Sequence, residues 1–404
     1  MSTASFRFRR RLPRPPRPAL EDDDLLCEIL LRLPPQPSSL PRVSLVCRRW
    51  HSLVSRPAFR RRFRVHHRRG SPPLLGFFDG HHRNTFQPAL GAPDRLPRGL
   101  FSLELDGSYT TLGWRHGLAL FFFPVSLQVL VWDPVAGDQH RLPVPPEFRL
   151  DLVVDSGAVL RAATAATDAG DHFQVVLVGS DPKQPRRVLA CVYSSEAGAW
   201  GDFISAPVSP ETFFFTGKPA VLAGDCLHWS VTAPGSGSRS ILKFDLDRQS
   251  LAMELLPGDM YTPGSPAFAV IRAEGGRMGL LFLSGFTAQL WSTVTDGDRV
   301  EIWEQGRIIE LDKLLRLHSK KDPPHLIGYA EENSVVFLWT VVGVFMVHLE
   351  SLQFKRISKA TIGSHYHPFE TVYTPGTSDG KRRAEVLRHS WWTRWRQYIR
   401  QLLS

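Results

Sequence analysis

Cysteine is scarce in this 404-residue chain: only Cys27, Cys47, Cys191 and Cys226 occur, none in a C-x-x-C pair or at metal-ligand spacing with histidine. That argues against a disulfide framework or a zinc module and suits a reducing compartment, so a cytoplasmic or nuclear setting is expected. Long apolar runs are missing too. Nothing reaches eighteen residues, so no membrane-spanning helix is expected. The opening FRFRRRLPRPPRP lacks the apolar stretch of a secretory leader and reads as a disordered Arg/Pro-rich tail over residues 1–18. No Gly-x-Ser-x-Gly elbow and no Gly-Lys-Ser/Thr phosphate loop occurs. The chain is therefore expected to be no enzyme, with no catalytic residue, metal or cofactor.

What the chain has is apolar and turn-rich. Hydrophobic residues make up 43%, enough for a sizeable core, and 32 prolines and 31 glycines accompany 25 phenylalanines and 11 tryptophans. This mixture favours many short strands joined by turns. The net charge of +10 is unevenly spread: residues 1–69 and 380–404 are strongly basic, leaving −8 for residues 70–379. That acidic middle argues against a basic globular domain for nucleic acid, and the ends read as solvated tails.

Helical signal is concentrated in Leu20 to Phe63. Leu25, Leu26, Ile29, Leu30 and Leu33 recur at steps of three and four, and the acidic run Glu21 to Asp24 sits where a cap belongs. Pro34, Pro35 and Pro37 stop that helix. A second helix is expected from Val43, Val46, Cys47, Trp50 and Val54, closed by Pro57, with a basic linker from residue 65 to 73. A unit this small and this apolar needs to share its surface with the rest of the chain or with a partner.

The order Leu-x-x-x-x-Leu-Leu-x-x-Ile-Leu-x-x-Leu-Pro, then Leu-Val-Cys-Arg-Arg-Trp, then Pro-x-Phe resembles an F-box, as in plant F-box proteins with a β-rich C-terminal domain. The resemblance spans an F-box at residues 19–64 and implies docking on the small Skp adaptor of a cullin-RING ubiquitin ligase. It implies an adaptor-facing set of Leu20, Leu25, Leu26, Ile29, Leu30, Leu33, Pro34, Leu45, Val46, Cys47 and Trp50. The usual Leu-Pro opening is Leu20-Glu21 here.

From residue 74 to 376 the pattern is all-β and periodic. Strong apolar runs start at Gly117, Asp171, Gly224, Gly276 and Glu332, at intervals of 54, 53, 52 and 56 residues. A second strand-like segment follows each run. A period near fifty with three or four strands is that of kelch-type propeller blades, although the paired glycines of true kelch repeats are missing. Five blades are visible. A sixth is expected from Leu74 to Phe78, Phe101 to Leu105 and Phe369 to Tyr373, joining the two ends of the domain; an irregular β-sandwich is the alternative. The fold class is thus a small helical F-box, a degenerate β-propeller of five or six blades, and a basic amphipathic tail helix over residues 377–404.

Some residues invite a site. His116, His172, His228 and His348 fall in or beside strands of different repeats, either converging on a channel or satisfied on strand faces. The triplets Phe121 to Phe123 and Phe213 to Phe215 cannot hide on one side of a strand, so they pack between blades or meet a partner. The leading expectation is a non-enzymatic substrate-recognition subunit of an SCF-type ubiquitin ligase, with an Skp-family adaptor, through it a cullin, and an unknown protein substrate as partners. A scaffold with an F-box-like cap, a propeller enzyme or sugar binder, and a nucleic-acid binder are the other classes.

Overall fold

In the computed structural model, residues 22–374 are described except for 69, 81–84, 151, 162–171, 182, 184–186, 209–213, 234–236, 261–266, 296–300, 318–321 and 359–364. The expected tails at 1–18 and 377–404, and Leu20, lie outside the described residues.

Four helices come first: α1 (Asp23–Leu31), α2 (Ser39–Ser44), α3 (Arg48–Ser55) and α4 (Pro57–Arg68). The acidic run caps α1, since Asp22 Oδ1 accepts from the N–H groups of Asp24 and Leu25 at 2.9 and 3.2 Å. Two features differ from the sequence expectation. The second helix is broken at Leu45–Cys47, so Val43 and Val54 are buried while Val46 and Cys47 point outward. Pro57 opens a helix rather than only closing one, because its fixed φ and missing N–H suit a first turn. That helix runs through Arg68, with Phe59 and Phe63 one turn apart in the core, Arg61 and Arg62 exposed and Arg60, Arg64 and Arg68 half-buried.

Six sheets follow. Blade 1 pairs Leu74–Asp79 with Thr85–Pro88 on one side and with the late strand Tyr366–Glu370 on the other. The expected third element, Phe101 to Leu105, is irregular, yet Phe101, Leu103 and Leu105 pack into the core of that blade. Blade 2 begins with Thr110–Arg115 and blade 3 with Val153–Arg161. Val221–Ala223, Ala267–Arg272 and His325–Ala330 are the innermost strands of blades 4, 5 and 6. The apolar runs that set the sequence period become the second strands: Leu118–Phe123, Phe173–Ser180, Cys226–Ala233, Met278–Ser284 and Val335–Thr340.

Separate sheets, each with an apolar cluster on both sides, make this a propeller and not a sandwich. One cluster lies between every adjacent pair of blades, including blades 6 and 1, which closes the ring. The phenylalanine triplet shows how. Phe121 and Phe123 enter the cluster shared with blade 1, and Phe122 enters the one shared with blade 3. Alternating strand faces both find a neighbour.

Strand direction fixes two faces. Connections from first to second strands, including residues 116–117, 224–225 and 331–334, share one face, where the segment 371–374 also emerges. The helical unit sits there. Val372 is buried in its core with Leu26, Leu30, Phe59 and Phe63, Arg64 Nη1 donates to Thr374 Oγ1 at 3.0 Å, and Ser38 N donates to Asp94 Oδ1 at 2.9 Å. Gly117, at φ 74°, lies below; a Cβ there would stand 2.5 Å from Thr371 Oγ1.

Candidate functional site

On the helical unit, α1 divides its leucines. Leu26, Leu30 and Leu31 turn inward, whereas Leu25 and Ile29, one turn apart, are 50% and 41% exposed. Leu45 and Val46, in the break after α2, are 44% and 61% exposed. Pro34 and Cys47 are exposed, while Leu33 and Trp50 are half-buried against the core. Ion pairs hold the frame: Arg49–Asp23 at 2.7 Å joins the start of α3 to the start of α1, and Arg62–Glu28 at 2.6 Å joins α4 to α1. The first pair draws the Leu45–Cys47 break toward the first turn of α1. Of the expected adaptor set, the structure places six on the surface, two at the edge of the core and two inside it.

The propeller's central channel is the second feature. A cavity of about 780 Å³, counting its open mouth, runs from Lys218, Leu326 and His365 toward Arg115, Glu331 and Glu370. The first three lie at strand ends on the face away from the helices, so the mouth opens there. At the other end the Arg115 guanidinium forms a buried ion pair with Glu331, its Nη2 donating to Oε2 at 2.9 Å and also to the Ala220 carbonyl. Burial would push the Glu331 carboxyl up; Arg115 and the Leu222 N–H, 3.1 Å away, hold it below its ordinary value. This pair ties blades 2, 4 and 6 together across the axis.

The family model described as the F-box domain matches residues 22–62. The helical unit is an F-box. No curated protein matches the chain. Among solved structures, a luciferin-regenerating enzyme is 11% identical, covering 62% of this chain and 76% of its own, at a TM-score of 0.35. The WD40 domain of SCAP from fission yeast is 14% identical, covering 65% of this chain and 56% of its own, at 0.34. Apo AztD from Citrobacter koseri is 15% identical, covering 65% of this chain and 65% of its own, at 0.34.

Beside the F-box the channel floor carries a latch. Glu370, on the closing strand, accepts from Asn333 N at 2.9 Å and Asn333 Nδ2 at 2.7 Å, and the same Nδ2 donates to the Pro72 carbonyl just before blade 1. Burial, with Glu331 and Glu332 near, outweighs these hydrogen bonds and pushes the Glu370 carboxyl up to about 8. An acid whose folded pKa is raised contributes stability that is complete below its unfolded pKa and lost as pH rises through the folded one. The fold is therefore expected to lose about 3 kcal/mol through Glu370 between pH 4.5 and 7. Thermal unfolding of Glu370→Gln across that range checks this: the variant's midpoint should fall less with pH than the parent's, and parallel curves would refute it.

The recurrent histidines do not converge on the channel. His116 sits in the turn beside the F-box end, where its Nδ1 accepts from Arg161 N at 3.2 Å, and burial lowers its pKa to about 4. His348 Nδ1 accepts from Ser351 N in a turn, and His228 lies within a blade. The channel's histidines are His365 and His367, which no spacing signal marked. Their only sequence cue is the closing strand on which His367 stands.

Proposed function

We propose that this chain is the substrate-recognition subunit of an SCF-type ubiquitin ligase. The F-box docks on an Skp-family adaptor, and through it a cullin, while the propeller holds a protein substrate for ubiquitin transfer catalysed in trans. The observation that carries this reading is the pairing of an F-box match with apolar side chains left exposed on two adjoining elements of that same unit. Leu25, Ile29, Pro34, Leu45, Val46 and Cys47 supply the contact surface, flanked by Leu33 and Trp50. Leu26 and Leu30 act from inside by fixing how α1 presents its outer face. A cytoplasmic or nuclear setting goes with this role.

Co-purification of the full chain with the Skp adaptor tests it. A Leu25→Asp/Val46→Asp variant should lose about 2 kcal/mol or more of adaptor affinity, roughly thirtyfold. Because both positions are exposed, its unfolding free energy should stay within about 0.5 kcal/mol of the parent. A folded parent chain that fails to bind would refute the ligase reading. Binding of adaptor without recruitment of cullin would favour a scaffold role.

A further inference from the structure

One charge in the channel has no counter-ion among the described residues. Lys218 Nζ, at the mouth, donates to the Phe268 carbonyl at 2.6 Å, and the charge that acts on it is that of a second cation, Arg239, which is buried against the Phe268 and Phe282 rings. Burial, and then Arg239, lowers the Lys218 pKa to about 8, so the ammonium is still the main form at neutral pH. Four other ionisable groups of the lining supply no counter-charge. Arg115 and Glu331 neutralise each other, Glu370 is protonated below about 8, and burial followed by His365 keeps His367 neutral, with a pKa of about 3.

A partly desolvated ammonium with donors to spare is stabilised by an anion, through charge-assisted hydrogen bonds stronger than neutral ones. The walls around it are largely apolar, from Ala220, Val221, Val270, Leu326 and Ile327. We propose that the channel is a receptor for a carboxylate carried on an apolar stem, anchored by Lys218 Nζ and entering from the face opposite the F-box. This rests on the reading of the propeller as the recognition domain and gives its recognition a chemistry.

Trp114 supplies the reporter, because it lines the cavity and its indole Nε1 is buried without a hydrogen-bond partner among the described residues. The intact chain, labelled with ¹⁵N at its indoles, is titrated with benzoate, benzamide and benzylamine. A second arm uses acetyl-Ala-Leu-Glu-Leu-Ala-amide and its glutamine counterpart. The Trp114 resonance, assigned by its loss in Trp114→Phe, should shift and saturate with benzoate but not with the amide or the amine. In Lys218→Met the midpoint should rise about tenfold or more, and Lys218→Arg should recover part of the affinity; matched thermal midpoints show that the variants are folded.

Saturation by benzoate alone identifies the ligand as a free small acid, and saturation by the glutamate peptide as well identifies a protein-borne one. An equal response to benzamide, no response to any acid, or an unchanged midpoint in Lys218→Met would overturn the proposal. Adaptor binding is read on the same samples. A chain that binds the adaptor but ignores every acid sinks the receptor alone, and one that binds acids but no adaptor sinks the ligase reading alone.

Discussion

Replacing Val372 with aspartate is expected to unfold the F-box while the propeller ring stays closed. Val372 is 1% exposed and lies among Leu26, Leu30, Phe59 and Phe63, so a carboxylate there is buried in hydrocarbon. The penalty is several kcal/mol. A helical unit of this size holds only about 3–5 kcal/mol of its own, and the Arg64–Thr374 and Ser38–Asp94 hydrogen bonds add about 1 kcal/mol each. The aspartate exceeds what remains. Far-ultraviolet helical signal, protease resistance of α1–α4 and adaptor binding should be lost together, while the tryptophan signal of the blades unfolds at its usual temperature. Val372→Ala should cost about 2 kcal/mol and leave the F-box partly folded. Full protection of the helices in Val372→Asp would show that the F-box does not depend on the propeller's end.

The second large effect concerns the axis. Arg115→Met should destabilise the propeller by about 3–5 kcal/mol, because it strands the buried Glu331 carboxylate and removes the hydrogen bond to Ala220. The double variant Arg115→Met/Glu331→Leu should recover most of the loss, since replacing both ions by apolar groups of similar size removes the unpaired charge. Denaturant unfolding of the three proteins checks this, and a double variant no better than the single one would refute it. The measurement also bears on the channel, because the pair forms its floor.

Much of this architecture was legible because it is written in periodicity. Runs ending in strands such as Phe173–Ser180 and Val335–Thr340 are apolar on both faces, as strands packed between two blades must be, and their spacing marks the blades. Phe101 to Leu105 reads as a strand because its alternation is apolar; Phe101 is buried and Leu103 and Leu105 half-buried, but Pro97 and Gly99 shortly before it belong to a turn, and no ladder forms. The break at Leu45–Cys47 was hidden because Val43 and Val54 keep helical spacing across it, although they sit on two helices. Basic residues masked the end of α4: with His66, His67 and Arg68 the segment from residue 65 reads as linker, yet the helix begun by the buried stripe of Phe59 and Phe63 continues through Arg68. The channel was less legible. Arg115 and Glu331 lie 216 positions apart, and Lys218 reads as an ordinary loop lysine until the ring brings it to the mouth. Pairings of that separation leave no local signal.

The antiparallel pairing of Leu74–Asp79 with Tyr366–Glu370 has a consequence for the time at which the protein becomes competent. Its two halves are made about 300 residues apart, which at roughly 5–20 residues per second separates them by about 15–60 seconds. Through that interval blade 1 lacks its inner strand and the F-box lacks Val372, two residues downstream of that strand. A nascent or truncated chain therefore carries an F-box with an incomplete core, and completion of the ring and of the docking unit coincide. Under the proposed role, such an order of events would keep unfinished chains from occupying the adaptor.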